Sequence, residues 1–163
     1  MSTVVVVGNP KPASRTRQAA ELVAERLTGA PADAVIELAD LGPALLGWGD
    51  PAVTAAKQAV QHADLVVFAT PTYKATYTGL LKLFLDQFGA GELHGTTAIA
   101  LMLGGSPTHA LAGELTLKPV LSEIGCSCPT PALYLLDSAW EASPELDLWV
   151  DRARDVLGRR VLG

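Results

Sequence analysis

Three stretches of the chain gather side chains able to hold a small molecule. The first, Gly8-Asn9-Pro10-Lys11-Pro12-Ala13-Ser14-Arg15-Thr16, follows directly on four consecutive valines, Val4 to Val7. Ser14 stands where it can cap a following helix, with Arg15 and Thr16 in the first turn. A helix N-terminus offers free N–H groups and a partial positive charge, so two hydroxyls and a guanidinium around it make a phosphate cradle; the same residues also suit an ordinary N-cap. Arg15 is unfavourable beside the positive end of the helix dipole unless an anion compensates it. The stretch lacks the GKS or GKT of a triphosphate-binding loop and the GxGxxG of a dinucleotide fingerprint. A monophosphate fits better.

The second stretch, Pro71–Thr78, offers Thr72, Tyr73, Lys74, Thr76 and Tyr77. This mix of flat aromatic surface, hydroxyls and a cation suits the border of a planar heterocycle, or simply a proline-initiated turn leading into a helix. The third, Gly104–His109, pairs Gly104 and Gly105 with Ser106 and His109. The glycines permit close backbone approach or positive φ. His109 reads either as a polar contact to a ligand or as a partly exposed helix residue. Other chemistries are missing. Where a phospho-accepting receiver needs an acidic pair and an aspartate, the chain has GNP and ATPTY, and no GxSxG nucleophile elbow is present. No metal-ligand set and no nucleophile with its base are visible. The chain reads as a binder of a phosphorylated planar molecule that brings its own chemistry, and flavin mononucleotide (FMN) meets that description.

Continuous apolar runs at Val4–Val7, Ala34–Leu38, Leu65–Ala69, Thr97–Leu103 and Ala132–Leu136 predict five strands, each trailed by a segment of helical period. Unbroken apolar strands are expected where helices cover both faces of a parallel sheet. The fold expected is α/β, a flavodoxin-like three-layer sandwich whose five-stranded parallel sheet runs in the order 2-1-3-4-5. In that order the ligand crevice lies beyond the carboxyl ends of strands 1, 3 and 4, where the three stretches fall. A helix over Tyr77–Phe88 carries a wide apolar stripe, Leu80, Leu81, Phe84, Leu85 and Phe88, with Leu83 apart from it. That excess suits a subunit interface or a deep intramolecular core. Asp40–Asp50 reads as a surface loop able to wall the crevice, and Ser138–Gly163 as an amphipathic helix whose Arg152, Arg154, Arg159 and Arg160 form a solvated face.

The 163 residues, 49% apolar and 18% charged, predict a single domain over residues 1–163. A net charge of −5 provides no broad basic surface for nucleic acid or an anionic membrane. Cys126 and Cys128 complete neither a zinc site nor a disulfide framework and read as small packed residues. With no basic leader and no apolar run near the roughly 18 residues of a membrane span, a cytoplasmic location is expected.

Taken in order, GNPKPASRT, the long middle segment ending ATPTYKATYTGLLKLFLDQF, and GGSPTHALAGELTLKPVLSEIGC resemble the NADPH-dependent FMN reductases, in particular those of sulfonate utilisation. The likeness covers about residues 3–137, most specifically in the P-x-Y-K and LKPVL motifs. It implies that Asn9, Ser14, Arg15 and Thr16 hold the FMN phosphate. Pro71, Thr72, Tyr73 and Lys74 would border the isoalloxazine and ribityl chain, and Gly104 and Gly105 the far edge of the ring. The cofactors implied are FMN and NADPH or NADH; Lys74, Lys11 or Arg15 would serve a nicotinamide 2′-phosphate. No catalytic side chain is implied, because hydride passes directly between stacked rings. The resemblance further implies a homodimer or homotetramer packed through the Tyr77–Phe88 helix, and a flavin-dependent monooxygenase as partner. In some members a tyrosine in a π-bulge before LKPVL covers the flavin and favours its release; the position here is Leu115. A leucine there suits a protein that keeps its FMN and reduces a quinone or azo acceptor. A flavodoxin-type carrier is the third reading, against which the mild acidity counts.

Overall fold

The computed structural model describes the backbone of residues 1–161 and the side chains of residues 1–158. The side chains of Arg159 and Arg160, and residues 162–163, lie outside the described residues. Five strands, β1 (Thr3–Val7), β2 (Ala34–Glu37), β3 (Leu65–Pro71), β4 (Thr97–Gly104) and β5 (Leu133–Leu136), form one parallel sheet in the order β2-β1-β3-β4-β5. This is the expected order and the expected α/β class.

Alternation across β1 assigns its valines to two cores, because successive side chains of a strand point to opposite faces. Val4 and Val6 join Val66, Phe68, Ala100 and Met102 on one face, under α3 (Pro51–Gln61), α4 (Gly79–Leu85) and α5 (Lys118–Glu123). Val5 and Val7 join Val67, Ile99, Leu101 and Leu103 on the other, under α1 (Arg15–Thr28) and α6 (Pro144–Val161). Both faces are covered, so β1, β3 and β4 carry no polar alternation. Each fully buried aliphatic side chain contributes about 1.5–3 kcal/mol relative to exposure.

The helices begin where the chain supplies caps. Ser14 Oγ accepts from Arg17 N–H at the start of α1, and Gly29 closes that helix in the left-handed region at φ 79°. Asp50 caps α3 with Pro51 in its first turn, and Thr78 caps α4 through Leu81 N–H. The helix expected over Tyr77–Phe88 is shorter, Gly79–Leu85. Most of its apolar stripe is core: Leu81, Phe84, Leu85 and Phe88 are buried, with Phe84 and Phe88 edge to face at 5.3 Å, while Leu80 and Leu83 are half-buried.

The stretch expected to be a surface loop, Asp40–Asp50, is largely helical. A short α2 (Leu38–Leu41) runs into a 3-10 turn over Gly42–Leu46 that buries Leu45. Gln87 Nε2 holds the stretch against the α4 side through the carbonyls of Leu45 and Gly47. It therefore packs on the sheet face rather than walling the crevice. Arg154 is also more than a solvated residue, since its Nε donates to the Arg26 carbonyl at the end of α1. Among the described residues no helix is long and apolar enough to cross a membrane.

Candidate functional site

A cleft of about 360 Å³ opens at the carboxyl ends of β1, β3 and β4, within the ~300–1,000 Å³ usual for small-ligand sites. Nine of the ten expected residues line it: Asn9, Ser14, Arg15, Thr16, Pro71, Thr72, Tyr73, Gly104 and Gly105. Lys74 does not. It sits one residue beyond Tyr73, exposed, in the left-handed region at φ 51°. His109 is likewise absent from the lining and lies in a 3-10 turn, Pro107–His109.

The wall built from residues 9–18 is held by side chains. Asn9 Nδ2 donates to the buried Thr16 Oγ1 at 3.0 Å, while Asn9 Oδ1 accepts from Lys11 N–H at 2.9 Å. Ala13 adopts φ 50°, a region a residue with a Cβ enters at a cost, and its N–H donates to Glu37 Oε1 at 2.9 Å. The same oxygen accepts from Arg17 Nη1 at 3.1 Å, and Glu37 is buried at the end of β2. Hydrogen bonding to Glu37, then the charge of Glu21, push the Arg17 guanidinium above its usual range, so it is a fixed cation. The Ser14 hydroxyl occupies Arg17 N–H. The N–H groups of Arg15 and Thr16, which have no helical carbonyl four residues earlier, are left as the open donors of α1. Arg15 reaches across the cleft mouth to Asp137 Oδ2 at 3.0 Å.

The facing wall is held by backbone. Tyr73 N–H donates to the Thr76 carbonyl at 2.9 Å and Thr76 N–H returns to the Tyr73 carbonyl at 3.2 Å. The two residues between them, Lys74 and Ala75, both take positive φ, 51° and 66°. Thr72 N–H pairs with the Leu103 carbonyl at 2.7 Å, which continues the β3–β4 ladder one step into the loop. Thr72 Oγ1 is buried without a partner among the described residues.

The two expected glycines differ in what they do. A Cβ on Gly104 would lie 1.9 Å from Tyr134 Oη, so its missing side chain makes room for a tyrosine of β5 whose hydroxyl donates to the Ser106 carbonyl. A Cβ on Gly105 would meet nothing within 4 Å, so its backbone borders open space. FMN fits this lining on three counts: open N–H donors beside two cations at one end, an unpaired hydroxyl at Thr72, and free room beside Gly105.

Behind the second wall, Thr76 Oγ1 donates to Thr116 Oγ1 at 2.9 Å, inside a π-helical turn over Gly113–Leu117. Glu114 ties that turn down by accepting from Ala132 N–H and from Lys118 Nζ. Burial pushes the Glu114 carboxyl up, but these two donors outweigh it and hold it below its ordinary value. Leu115 is 68% exposed in this turn, with Leu111 65% exposed one turn before it. Away from the cleft, burial pushes the Cys126 thiol up to about 12 and raises Cys128 as well, so both stay protonated near neutrality and are poor nucleophiles. Among the described residues no cluster could hold a metal ion.

Sequence reasoning passed over Gln18, Leu103, Ala13 and Asp137, and named Lys11 only for a 2′-phosphate. Asp137 had a readable signal, an acid directly after a strand. It escapes notice because the crevice rule directs attention to strands 1, 3 and 4 and not to β5.

The family model for NADPH-dependent FMN reductase matches residues 1–141. The FMN reductase (NADPH) of Escherichia coli (strain K12) is 34% identical over 128 residues, 76% of this chain and 67% of that protein. The NADH-dependent FMN reductase SfnF of Pseudomonas fluorescens (strain Pf0-1) is 39% identical over 93 residues, 54% of this chain and 50% of that one. Among solved structures, the apo form of the NADH:FMN oxidoreductase EmoB superposes with a TM-score of 0.83 at 33% identity, covering 94% of this chain and 86% of that chain. The chain belongs to the NADPH-dependent FMN reductase family and is an oxidoreductase.

Proposed function

We propose that this protein uses NADPH or NADH to reduce FMN that enters and leaves the cleft as a substrate, and that the reduced flavin serves a flavin-dependent monooxygenase. The observation that carries this reading is the joining, in one cleft, of the open N-terminus of α1 with Lys11 and Arg15 at one end and Thr72, Tyr73 and Gly105 at the other. In this reading Asn9, Ser14, Arg15 and Thr16 hold the phosphate. Pro71, Thr72, Tyr73, Gly104 and Gly105 border the ring and ribityl chain. Bound FMN supplies the hydride acceptor.

The protein's share is positioning. The tightly hydrogen-bonded first wall fixes where the phosphate sits, which sets the register of the ring against the backbone of residues 71–73. The backbone beside Gly105, which borders open space, would stabilise negative charge on the ring without reorganising. No lining side chain is required to move a proton. The preference between NADPH and NADH rests on Lys11 and Arg15, the two cations of the lining. The protein acts as a homodimer or homotetramer, a reading supported by the exposed apolar pair Leu111 and Leu115 beside the π-helical turn; sedimentation of purified protein checks it.

Leu115 favours a second reading, in which FMN stays bound and a quinone or azo compound takes the electrons. The test is the visible spectrum of the protein as isolated, followed by NAD(P)H oxidation with and without micromolar FMN. A colourless sample whose turnover saturates with added FMN supports flavin as substrate. A yellow sample, indifferent to FMN and stimulated by quinone, overturns it in favour of the second reading.

A further inference from the structure

An acid lines a cleft whose ligand, on the reading above, carries an anion. Asp137 follows the last residue of β5, and its N–H donates to the Gly104 carbonyl at 3.0 Å, so its backbone is fixed to the end of β4. From there its carboxylate meets Arg15 Nη2 at 3.0 Å, and its main-chain carbonyl accepts from Arg15 Nη1 at 3.1 Å. The charged side chains of the lining are Lys11, Arg15 and Asp137, so one of the two cations is already engaged by an acid. The fold does not call for that acid. The Asp137 carboxylate caps no helix, and its main-chain bonds to Gly104 and Arg15 need no particular side chain.

The arrangement has opposite effects on geometry and on affinity. The main-chain carbonyl of residue 137 holds the Arg15 guanidinium at the cleft mouth. The carboxylate competes with any phosphate for the same guanidinium and repels a dianion seated beside it. We propose that Asp137 is a specificity-tuning residue that weakens the hold on the flavin phosphate, keeping FMN exchangeable. This inference rests on the reading that a phosphate binds at the N-terminus of α1. Arg15 and Asp137 side chains are 60% and 39% exposed, so water screens the pair and the effect is a modest one, about threefold to fivefold.

The experiment compares FMN with riboflavin, which lacks the phosphate, by flavin fluorescence titration of wild type, Asp137→Asn and Asp137→Glu. Wild type is expected to prefer FMN. Asp137→Asn should tighten FMN about threefold to fivefold and slow its release, leaving riboflavin unchanged. Asp137→Glu, which keeps the charge, should retain the wild-type ratio. A merely structural role would shift both ligands together and would show in the melting temperature. The inference is overturned if Asp137→Asn leaves the FMN-to-riboflavin ratio unchanged or lowers it while wild type still prefers FMN. If wild type binds the two ligands equally, the phosphate reading itself fails, and the inference falls with it.

Discussion

The two walls of the cleft are held by different physics. The wall of residues 9–18 is a set of side-chain hydrogen bonds and ion pairs, Asn9 to Thr16, Ala13 to Glu37, Arg17 to Glu37, and Arg15 to Asp137. The wall of residues 71–76 is a tight backbone turn, with reciprocal bonds between Tyr73 and Thr76 and two left-handed residues at its tip. The first wall is a charge-defined surface, the one proposed above to hold the flavin phosphate. The second is a shape-defined surface whose outline is set by that turn. A substitution on the first wall should therefore change FMN and riboflavin binding differently, and one on the second should change them together.

Removing Glu37 is expected to give the largest effect. Glu37→Ala strips the partner from Ala13 N–H and leaves the Arg17 guanidinium with Glu21 alone, and losing a hydrogen bond to a charged group costs about 2 kcal/mol. At roughly 2–4 °C per kcal/mol for a chain of this size, the melting temperature should fall by about 4–8 °C. The preference for FMN over riboflavin should fall as well, because Ala13 would lose the bond that accompanies its positive φ. Glu37→Gln keeps an acceptor oxygen and should recover most of that preference. Calorimetry and paired flavin titrations check both.

Arg15→Ala comes next, with FMN affinity expected to drop about tenfold, or 1.4 kcal/mol, and riboflavin affinity to stay within a factor of about two. An equal loss for both ligands would erase the distinction between the walls. Smaller again is the contrast between the two lysines. Lys11 lines the cleft and Lys74 does not. Lys11→Ala should weaken FMN about threefold through a screened charge, and Lys74→Ala should leave it unchanged.

That contrast also marks where reading the sequence stopped. The five strands were legible because buried β-branched runs leave a continuous apolar signal; the alternation of strand and helix marked a parallel sheet, and its order came from the flavodoxin-like arrangement that five such strands fit. The cleft was legible because Gly, Pro, Ser and Thr collect just past β1, β3 and β4. Lys74 lies outside the lining because a motif places a residue on a loop without fixing its φ, and a two-residue turn carries it past Tyr73. Glu37 was invisible as a loop anchor, since nothing local links it to Ala13; the link is the β1–β2 pairing, which sets Val7 beside Glu37. Gly104 was read as permitting close backbone approach, and the group that makes this approach is Tyr134, which no local signal indicates. The stretch Asp40–Asp50 misled because Gly42, Pro43, Gly47 and Gly49 break up two real helical turns.

The smallest expected effect bears on the second wall. Ala75 holds φ 66° beside Lys74 at φ 51°, and left-handed backbone costs a residue with a Cβ roughly 1–2 kcal/mol. Ala75→Gly removes that cost but adds freedom to the unfolded chain, which offsets about 0.5–1 kcal/mol of the gain. The net expectation is a stabilisation of about 0.5 kcal/mol, read as a melting temperature higher by about 1–2 °C. Because the turn is defined by backbone and no charge changes, FMN and riboflavin affinities should move together and by less than about twofold, a shift well under 1 kcal/mol. If Ala75→Gly instead weakened FMN alone, the strain would be setting the position of the phosphate rather than of the ring. The two walls would then act as one coupled unit.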